Sequence, residues 1–117
     1  MFMPVAFYNG IIHPLLPYAL RGVIWYQCEG DTGLNIYYAK VFPALISSWR
    51  TLFAQGDFPF YWVQLSSHGG NTGTNCAFMR EAQTKTLSLP NTGQAIWVNQ
   101  PTYTRSANKR LVTVSRA

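Results

Sequence analysis

The order of apolar and amphipathic segments is what most limits the folds open to this chain. Three apolar segments rich in β-branched and aromatic residues, at 22–27, 58–67 and 94–100, alternate with amphipathic ones. The first is apolar on both faces, as in a central parallel strand covered on both sides. Such alternation is typical of right-handed βαβ units. We therefore predict an α/β fold whose strands, near 22–27, 60–66 and 94–99, pair in parallel in that spatial order.

Two helices are predicted between these strands. Over 35–54, apolar side chains recur at spacings of three and four, and Pro43 does not break their phase. The residues expected to face the core are Tyr38, Val41, Phe42, Leu45, Ile46, Trp49, Leu52 and Phe53. A second helix is predicted over 76–89, with Asn75 as its candidate N-cap. Its inward residues are expected to be Ala77, Met79 or Phe78, Ala82 and Leu87. The segment "SANKRLVTVSRA" is predicted as a last helix capped by Ser106.

The composition indicates that this chain packs against further protein. Only 11% of its residues are charged, against about a quarter in typical domains, and it has four Trp, seven Tyr and seven Phe. The net charge is +5, and no carboxylate follows Glu81. A basic end could bind nucleic acid, but its basic residues are not interleaved with aromatic ones as in a single-strand groove. We therefore expect no nucleic-acid and no membrane partner, since no stretch reaches the ~20 apolar residues of a membrane span.

The cysteines and histidines give little sign of a metal site. Cys28 and Cys76 are too few for a disulfide framework, so free thiols are expected, with a single bridge as the alternative. No Cys-x-x-Cys spacing is present, and neither a metal nor a cofactor is predicted. His13 lies in a proline-containing connector that ends at Gly22, and it is expected to be a packing residue.

Polar residues follow each predicted strand, at the edge of the sheet where ligands bind in open parallel folds. These strand ends are Gln27-Cys28-Glu29, Ser66-Ser67-His68 and Asn99-Gln100. A glutamine at such a position can donate its amide hydrogens to a developing oxyanion. A hydrogen bond that merely holds the loop is the alternative role for Gln27.

Four blocks of the sequence resemble a known family. They are "FYNGIIHPLLPYALRGVIWYQCEGD", "VFPALISSWRTLFAQGDFPFYWVQL", "REAQTKTLSLPNTGQAI" and "ANKR". In register and over nearly the whole chain, they resemble the sialate O-acetylesterases, which are SGNH-type carbohydrate esterases. The resemblance implies a three-layer α/β/α sandwich with a parallel sheet. Residues 1–117 would be the C-terminal part of that catalytic domain, with its N-terminal strands missing.

The resemblance also implies serine-esterase chemistry on an O-acetylated carbohydrate. In the family, a serine attacks the acetyl ester, a histidine accepts the serine proton, a carboxylate orients the histidine, and amide groups hold the oxyanion. The family's serine lies in a Gly-Gln-Ser-Asn motif upstream of the matched blocks. No Gly-x-Ser occurs in this sequence. The nucleophile is therefore expected to be absent from these residues.

The family's general base is also replaced. When the sequences are anchored on Asn108-Lys109, Arg105 stands at the histidine position and Ser106 at the proline position. A guanidinium stays protonated at neutral pH and cannot act as a base. The family's Gln-Gly-Glu becomes Gln27-Cys28-Glu29, where the added side chain of Cys28 is expected to distort the loop.

From this resemblance we predict that the chain keeps only one wall of the site, formed by Gln27, Cys28 and Glu29. We also predict that it is inactive by itself. A non-catalytic carbohydrate-binding module is the alternative, with a cleft lined by Trp25, Tyr26 and Trp62, unless those aromatics are plain core. Cys28 as a replacement nucleophile beside His13 or His68 is a further alternative. Because the family's first strand would lie beside 22–27, its absence leaves an open edge. The chain is therefore expected to need the N-terminal half or to self-associate.

Overall fold

A computed structural model of the chain describes residues 4–66, 73–96 and 112–116. The described elements are, in chain order, helix α1 (Pro4–Phe7) with a π turn (Tyr8–Ile12) and a 3₁₀ turn (His13–Leu15), strand β1 (Val23–Trp25), a 3₁₀ turn (Glu29–Leu34), helix α2 (Asn35–Phe53), strand β2 (Phe60–Val63), helix α3 (Thr74–Lys85) with a 3₁₀ turn (Thr86–Ser88), and strands β3 (Thr92–Ile96) and β4 (Val112–Arg116).

The four strands form one sheet in the order β1-β2-β3-β4. The first three are parallel, with Val23 beside Phe60 and Phe60 beside Thr92, which confirms the predicted α/β class and the spatial order. Gly22 is needed where β1 meets the residue before β2, because a Cβ there would lie 2.9 Å from the Pro59 carbonyl oxygen. The backbone N–H of Val23 donates to that same oxygen at 2.9 Å.

The prediction of a last helix is wrong over residues 112–116. This segment is β4, an antiparallel edge strand that pairs Gly93 with Arg116, with an irregularity between Ala95 and Ile96. Its sequence "VTVSR" begins with three β-branched residues, which favour strands over helices. The proposed cap, Ser106, lies outside the described residues.

Helix α2 confirms the prediction of a helix over 35–54, and Pro43 lies inside it. The helix ends where Ala54 takes a left-handed conformation (φ 51°) and its N–H donates to the Arg50 carbonyl. The side chains of Tyr38, Phe42, Ile46, Arg50 and Phe53 are buried. Val41 and Leu52 were expected to face the core and are exposed, because the sheet covers a stripe narrower than the apolar face of the helix.

Helix α3 begins earlier than predicted. Its N-cap is Gly73 and not Asn75, and its last predicted turn is 3₁₀. The buried residues are Cys76, Met79, Ala82 and Gln83. Ala77 and Phe78 are exposed, so the prediction of Ala77 as an inward residue is wrong. The face that packs is set by Cys76, Met79 and Gln83, whose spacing of three and then four residues keeps them on one side.

Helices α2 and α3 cover one face of the sheet. The core on that face joins Phe60 and Trp62 of β2 to Phe42, Ile46 and Met79 of the helices. Successive strand residues point to opposite faces, so Ile24 and its neighbour Tyr61 point away from this core. Ile24 is 86% exposed. Within residues 4–66, 73–96 and 112–116, no second helical layer covers Ile24.

The proline-containing connector is ordered, as predicted, and is fixed to the end of α2. The side-chain amide of Gln55 donates to the Tyr18 carbonyl at 3.0 Å, and its oxygen accepts the Leu20 N–H at 2.8 Å. His13 is exposed, and its ring meets that of Tyr8 edge to face at 5.9 Å. None of the helices in the described part of the chain is long and apolar enough to cross a membrane.

Candidate functional site

The site wall predicted from the sequence lies just beyond the carboxyl end of β1. The half-buried Gln27 donates from its side-chain amide to the Asp31 carboxylate. The Tyr38 hydroxyl, from the first turn of α2, donates to the Gln27 carbonyl at 3.3 Å. An amide group has two N–H donors, so this bond fixes the orientation of Gln27, and no acceptor among the described residues takes the second N–H.

Cys28 is the most buried residue of the wall, at 2% exposure. Its sulfur accepts a hydrogen bond from the side-chain amide of Gln83, at 3.3 Å. The oxygen of that amide accepts the Leu65 N–H at 2.9 Å, and Gln83 itself is fully buried. One glutamine therefore links the turn after β1 to the residues that follow β2.

Gln83 was not predicted as a site residue. The only sequence signal is that it falls on the inward face of α3, four residues after Met79, where an apolar residue would be usual. A polar side chain on such a face needs buried partners, because an unpaired amide in the core costs about 1–3 kcal/mol. The identity of those partners could not be read from the local sequence.

The chemical state of Cys28 follows from its surroundings. Burial, with a smaller contribution from the Glu29 carboxylate, raises the pKa of the Cys28 thiol to about 12, although the Gln83 hydrogen bond acts in the opposite direction. The thiolate is the nucleophilic form of cysteine, and almost none is present near neutral pH. This argues against Cys28 as a replacement nucleophile.

We expect the Cys28 thiol of the folded chain to react with iodoacetamide at pH 8 at least about a hundredfold more slowly than in urea. The raised pKa alone lowers the thiolate fraction by roughly three orders of magnitude relative to an unfolded cysteine. Mass spectrometry of the peptides that carry Cys28 and Cys76 would follow the two sites separately. Equal labelling rates of Cys28 in the folded and unfolded chain would contradict the buried environment.

The same pKa shift predicts how stability depends on pH. A thiol whose pKa is raised by folding keeps its proton where the unfolded thiol has lost it, so the unfolded state binds fewer protons. The free energy of unfolding should therefore fall as pH rises from about 9, the ordinary value, toward about 12. Urea unfolding at pH 8 and pH 10 should show a smaller fall for Cys28→Ala than for the unchanged chain.

Glu29 completes the wall as an ionised carboxylate. Hydrogen bonds, the largest from its own backbone N–H and others from Tyr26 and Cys28, lower the pKa of Glu29. The hydrogen bond to Glu29, together with its charge, raises the pKa of Tyr26. With Asp31 nearby in the following 3₁₀ turn, the wall carries two carboxylates. A negatively charged intermediate there would need hydrogen-bond donors or cations to offset them.

Of the other residues predicted for the site, the structure describes only Ser66. Ser66, after β2, is half-buried. Ser67, His68, Asn99, Gln100 and Arg105 lie outside the described residues. Across residues 4–66, 73–96 and 112–116, no group of three or more His, Cys, Asp or Glu side chains is arranged to hold a metal ion.

The three aromatic residues considered for a sugar cleft do not line one cleft. Trp62 is 1% exposed, and its indole N–H donates to Gln94 at 2.8 Å. Trp25 packs against Phe42 in the same core. Tyr26 is exposed beside Glu29. Trp62 and Trp25 are therefore core residues, and the described residues give no support to the alternative of a cleft lined by all three.

Comparisons with known proteins agree with the fold. A family profile described as "Carbohydrate esterase, sialic acid-specific acetylesterase" matches residues 8–99. The rat sialate O-acetylesterase is 46% identical over 52% of this chain and 13% of its own length. The mouse sialate O-acetylesterase is 35% identical over 79% of this chain and 20% of its own. The crystal structure of a carbohydrate acetylesterase from Xanthomonas citri matches with a TM-score of 0.67 and 41% identity, over 76% of this chain and 22% of that one. The chain thus spans at most about a fifth of the curated relatives' length.

Proposed function

Because this chain belongs to the family of sialic acid-specific carbohydrate acetylesterases, we propose that it supplies one wall of a site that removes acetyl groups from O-acetylated carbohydrates. The observation that carries the proposal is Gln27. Its side chain lies just beyond the carboxyl end of a parallel strand, held by the Asp31 carboxylate, and its second amide N–H meets no acceptor in the described part of the chain. This is where open α/β sheets bind their ligands.

In the proposed reaction, a base takes the proton of a nucleophilic hydroxyl, whose oxygen attacks the acetyl carbonyl carbon while the carbonyl π electrons move to the carbonyl oxygen. The second N–H of Gln27 donates to that developing oxyanion. Collapse of the intermediate breaks the bond to the sugar oxygen, which takes the proton back from the protonated base. Water then hydrolyses the acyl group from the nucleophile and releases acetate.

Residues outside these 117 must supply the nucleophile and the base in this proposal. The sequence has no Gly-x-Ser motif, and Arg105 stands where the family has its histidine. Cys28 is a poor substitute because its thiol is buried and its pKa is about 12. We therefore propose that residues 1–117 are the C-terminal part of the catalytic domain and are inactive alone.

The 117-residue chain is expected to hydrolyse neither p-nitrophenyl acetate nor O-acetylated sialic acid above a heat-denatured control. Hydrolases that lose a triad member retain ~10³–10⁴-fold catalysis over water, but only with an intact substrate site. Release of acetate would be followed at high protein concentration, with Cys28→Ala as the matched variant. Saturable acetate release that disappears in Cys28→Ala would overturn the proposal and make Cys28 the nucleophile.

A complemented protein would test the wall itself. It would join the family's upstream half, with its serine, to this chain carrying Arg105→His and an acid at position 102. Acetate release is expected to return, and Gln27→Ala in that protein is expected to lower kcat by ~10²–10³-fold, as for loss of one oxyanion donor. Unchanged kcat in Gln27→Ala would remove Gln27 from the oxyanion site.

A further inference from the structure

A groove runs between α2 and α3 on the outer surface of the helical layer and encloses about 430 Å³. Two small residues, Ala39 and Ala82, lie at its floor, and the larger side chains of Ile36 and Phe78 flank it. Ile36 and Phe78 are exposed, although large apolar residues usually gain about 1.5–3 kcal/mol when fully buried. The small side chains of Ala39 and Ala82 therefore leave an apolar depression where the two helices meet.

The charged residues of the groove leave one unpaired cation. Lys85 is bound to Glu81, with 2.7 Å between the ammonium nitrogen and the carboxylate oxygen, so this pair is neutral overall. Lys40 also lines the groove and has no carboxylate partner within the described part of the chain. The groove thus combines apolar walls with a single net positive charge.

We propose that this groove binds a small amphipathic carboxylate, of the medium-chain fatty acid class. The carboxylate would pair with Lys40, and the hydrocarbon body would cover Ile36, Phe78 and the two alanines. The volume falls in the range of about 300–1,000 Å³ that is usual for small-molecule sites. The proposal is independent of the acetylesterase chemistry.

Titration of the 117-residue chain with decanoate, below its micelle concentration, tests the proposal. Calorimetry would measure the affinity, and the ¹⁵N-labelled chain would report the site through the backbone amides of Ala39 and Ala82. Acetate carries the same headgroup without the tail, and decyltrimethylammonium carries the same tail with the opposite charge. Saturable shifts of both amides with decanoate are expected, with no binding of acetate and at least about tenfold weaker binding of decyltrimethylammonium.

Surface variants separate this groove from other apolar surfaces. Phe78→Ser is expected to weaken decanoate binding about tenfold, and Lys40→Glu about fivefold. The matched controls are Ile24→Ser, on the opposite face of the sheet, and Arg21→Glu, an exposed basic residue outside the groove. Neither control should change the affinity, and circular dichroism would verify that all four variants fold.

Three outcomes would overturn the proposal. The first is an affinity unchanged by Phe78→Ser, or lowered equally by Ile24→Ser, since decanoate would then bind elsewhere. The second is equal binding of decanoate and decyltrimethylammonium, since the charge of Lys40 would then have no role. The third is a dimer that dissociates in Phe78→Ser without ligand, since a second copy of the chain would then occupy the groove.

Discussion

Replacing Phe42 by alanine is expected to lower the free energy of unfolding by about 3–5 kcal/mol. Phe42 is 2% exposed and lies at the centre of an aromatic cluster. Its ring centroid is 5.1 Å from that of Tyr38, 5.2 Å from Trp62, 6.2 Å from Phe60 and 6.3 Å from Trp25. The Phe42→Ala chain would lose these ring contacts and would contain a cavity, because the rigid aromatic neighbours can move only partly into the volume that the Phe42 ring vacates. Urea unfolding followed by tryptophan fluorescence would measure the change.

Phe78 provides the matched control for this prediction. It is the same residue type on the neighbouring helix but is 52% exposed. Phe78→Ala is expected to change the free energy of unfolding by only about 0.5 kcal/mol, as for most surface substitutions. Comparable losses in Phe42→Ala and Phe78→Ala would show that the aromatic cluster around Phe42 is not the core of the folded chain.

The second large effect is expected for Arg50→Ala, which should destabilise the chain by about 3–5 kcal/mol. The Arg50 guanidinium is buried and donates from Nη2 to the Phe58 carbonyl at 2.9 Å and to the Pro90 carbonyl at 2.8 Å. These bonds join the end of α2 to the segments that lead into β2 and β3. Alanine would leave both carbonyls without this donor and would remove the cross-link that these bonds provide.

Two further variants separate the hydrogen bonds of Arg50 from its ion pair. Asp57 lies 3.5 Å from Arg50 but its side chain is 63% exposed, so Asp57→Asn is expected to cost less than about 1 kcal/mol. Arg50→Lys should still be costly, since Nη2 donates both carbonyl bonds and a lysine side chain ends one bond short of that atom. If Asp57→Asn destabilised the chain as much as Arg50→Ala, the ion pair and not the carbonyl bonds would dominate.

The place of the candidate wall residues in the fold could be predicted because strand ends and loop residues are local features of the sequence. The apolar run before Gln27 marks a buried strand, and the polar residues after it mark the ligand edge of a parallel sheet. The bond from Gln83 to Cys28 joins residues 55 positions apart. Nothing in either local segment specifies that contact, so the support behind the wall appears only in the folded chain.

The sequence by itself determined the α/β class, the parallel order of β1, β2 and β3, and the extent of α2. Each of these depends on a repeating local pattern, with a period of two residues in strands and about 3.6 in helices. The β-branched residues of 112–116 favour a strand, but only the tertiary structure decided that this segment pairs with β3 as an edge strand, since a strand needs a partner for its hydrogen bonds. It also decided that Arg50 is buried while Val41 is exposed. Periodicity shows which side chains can face inward, but burial depends on what packs against them: the carbonyls of Phe58 and Pro90 draw a charged residue into the interior, and no described element covers Val41.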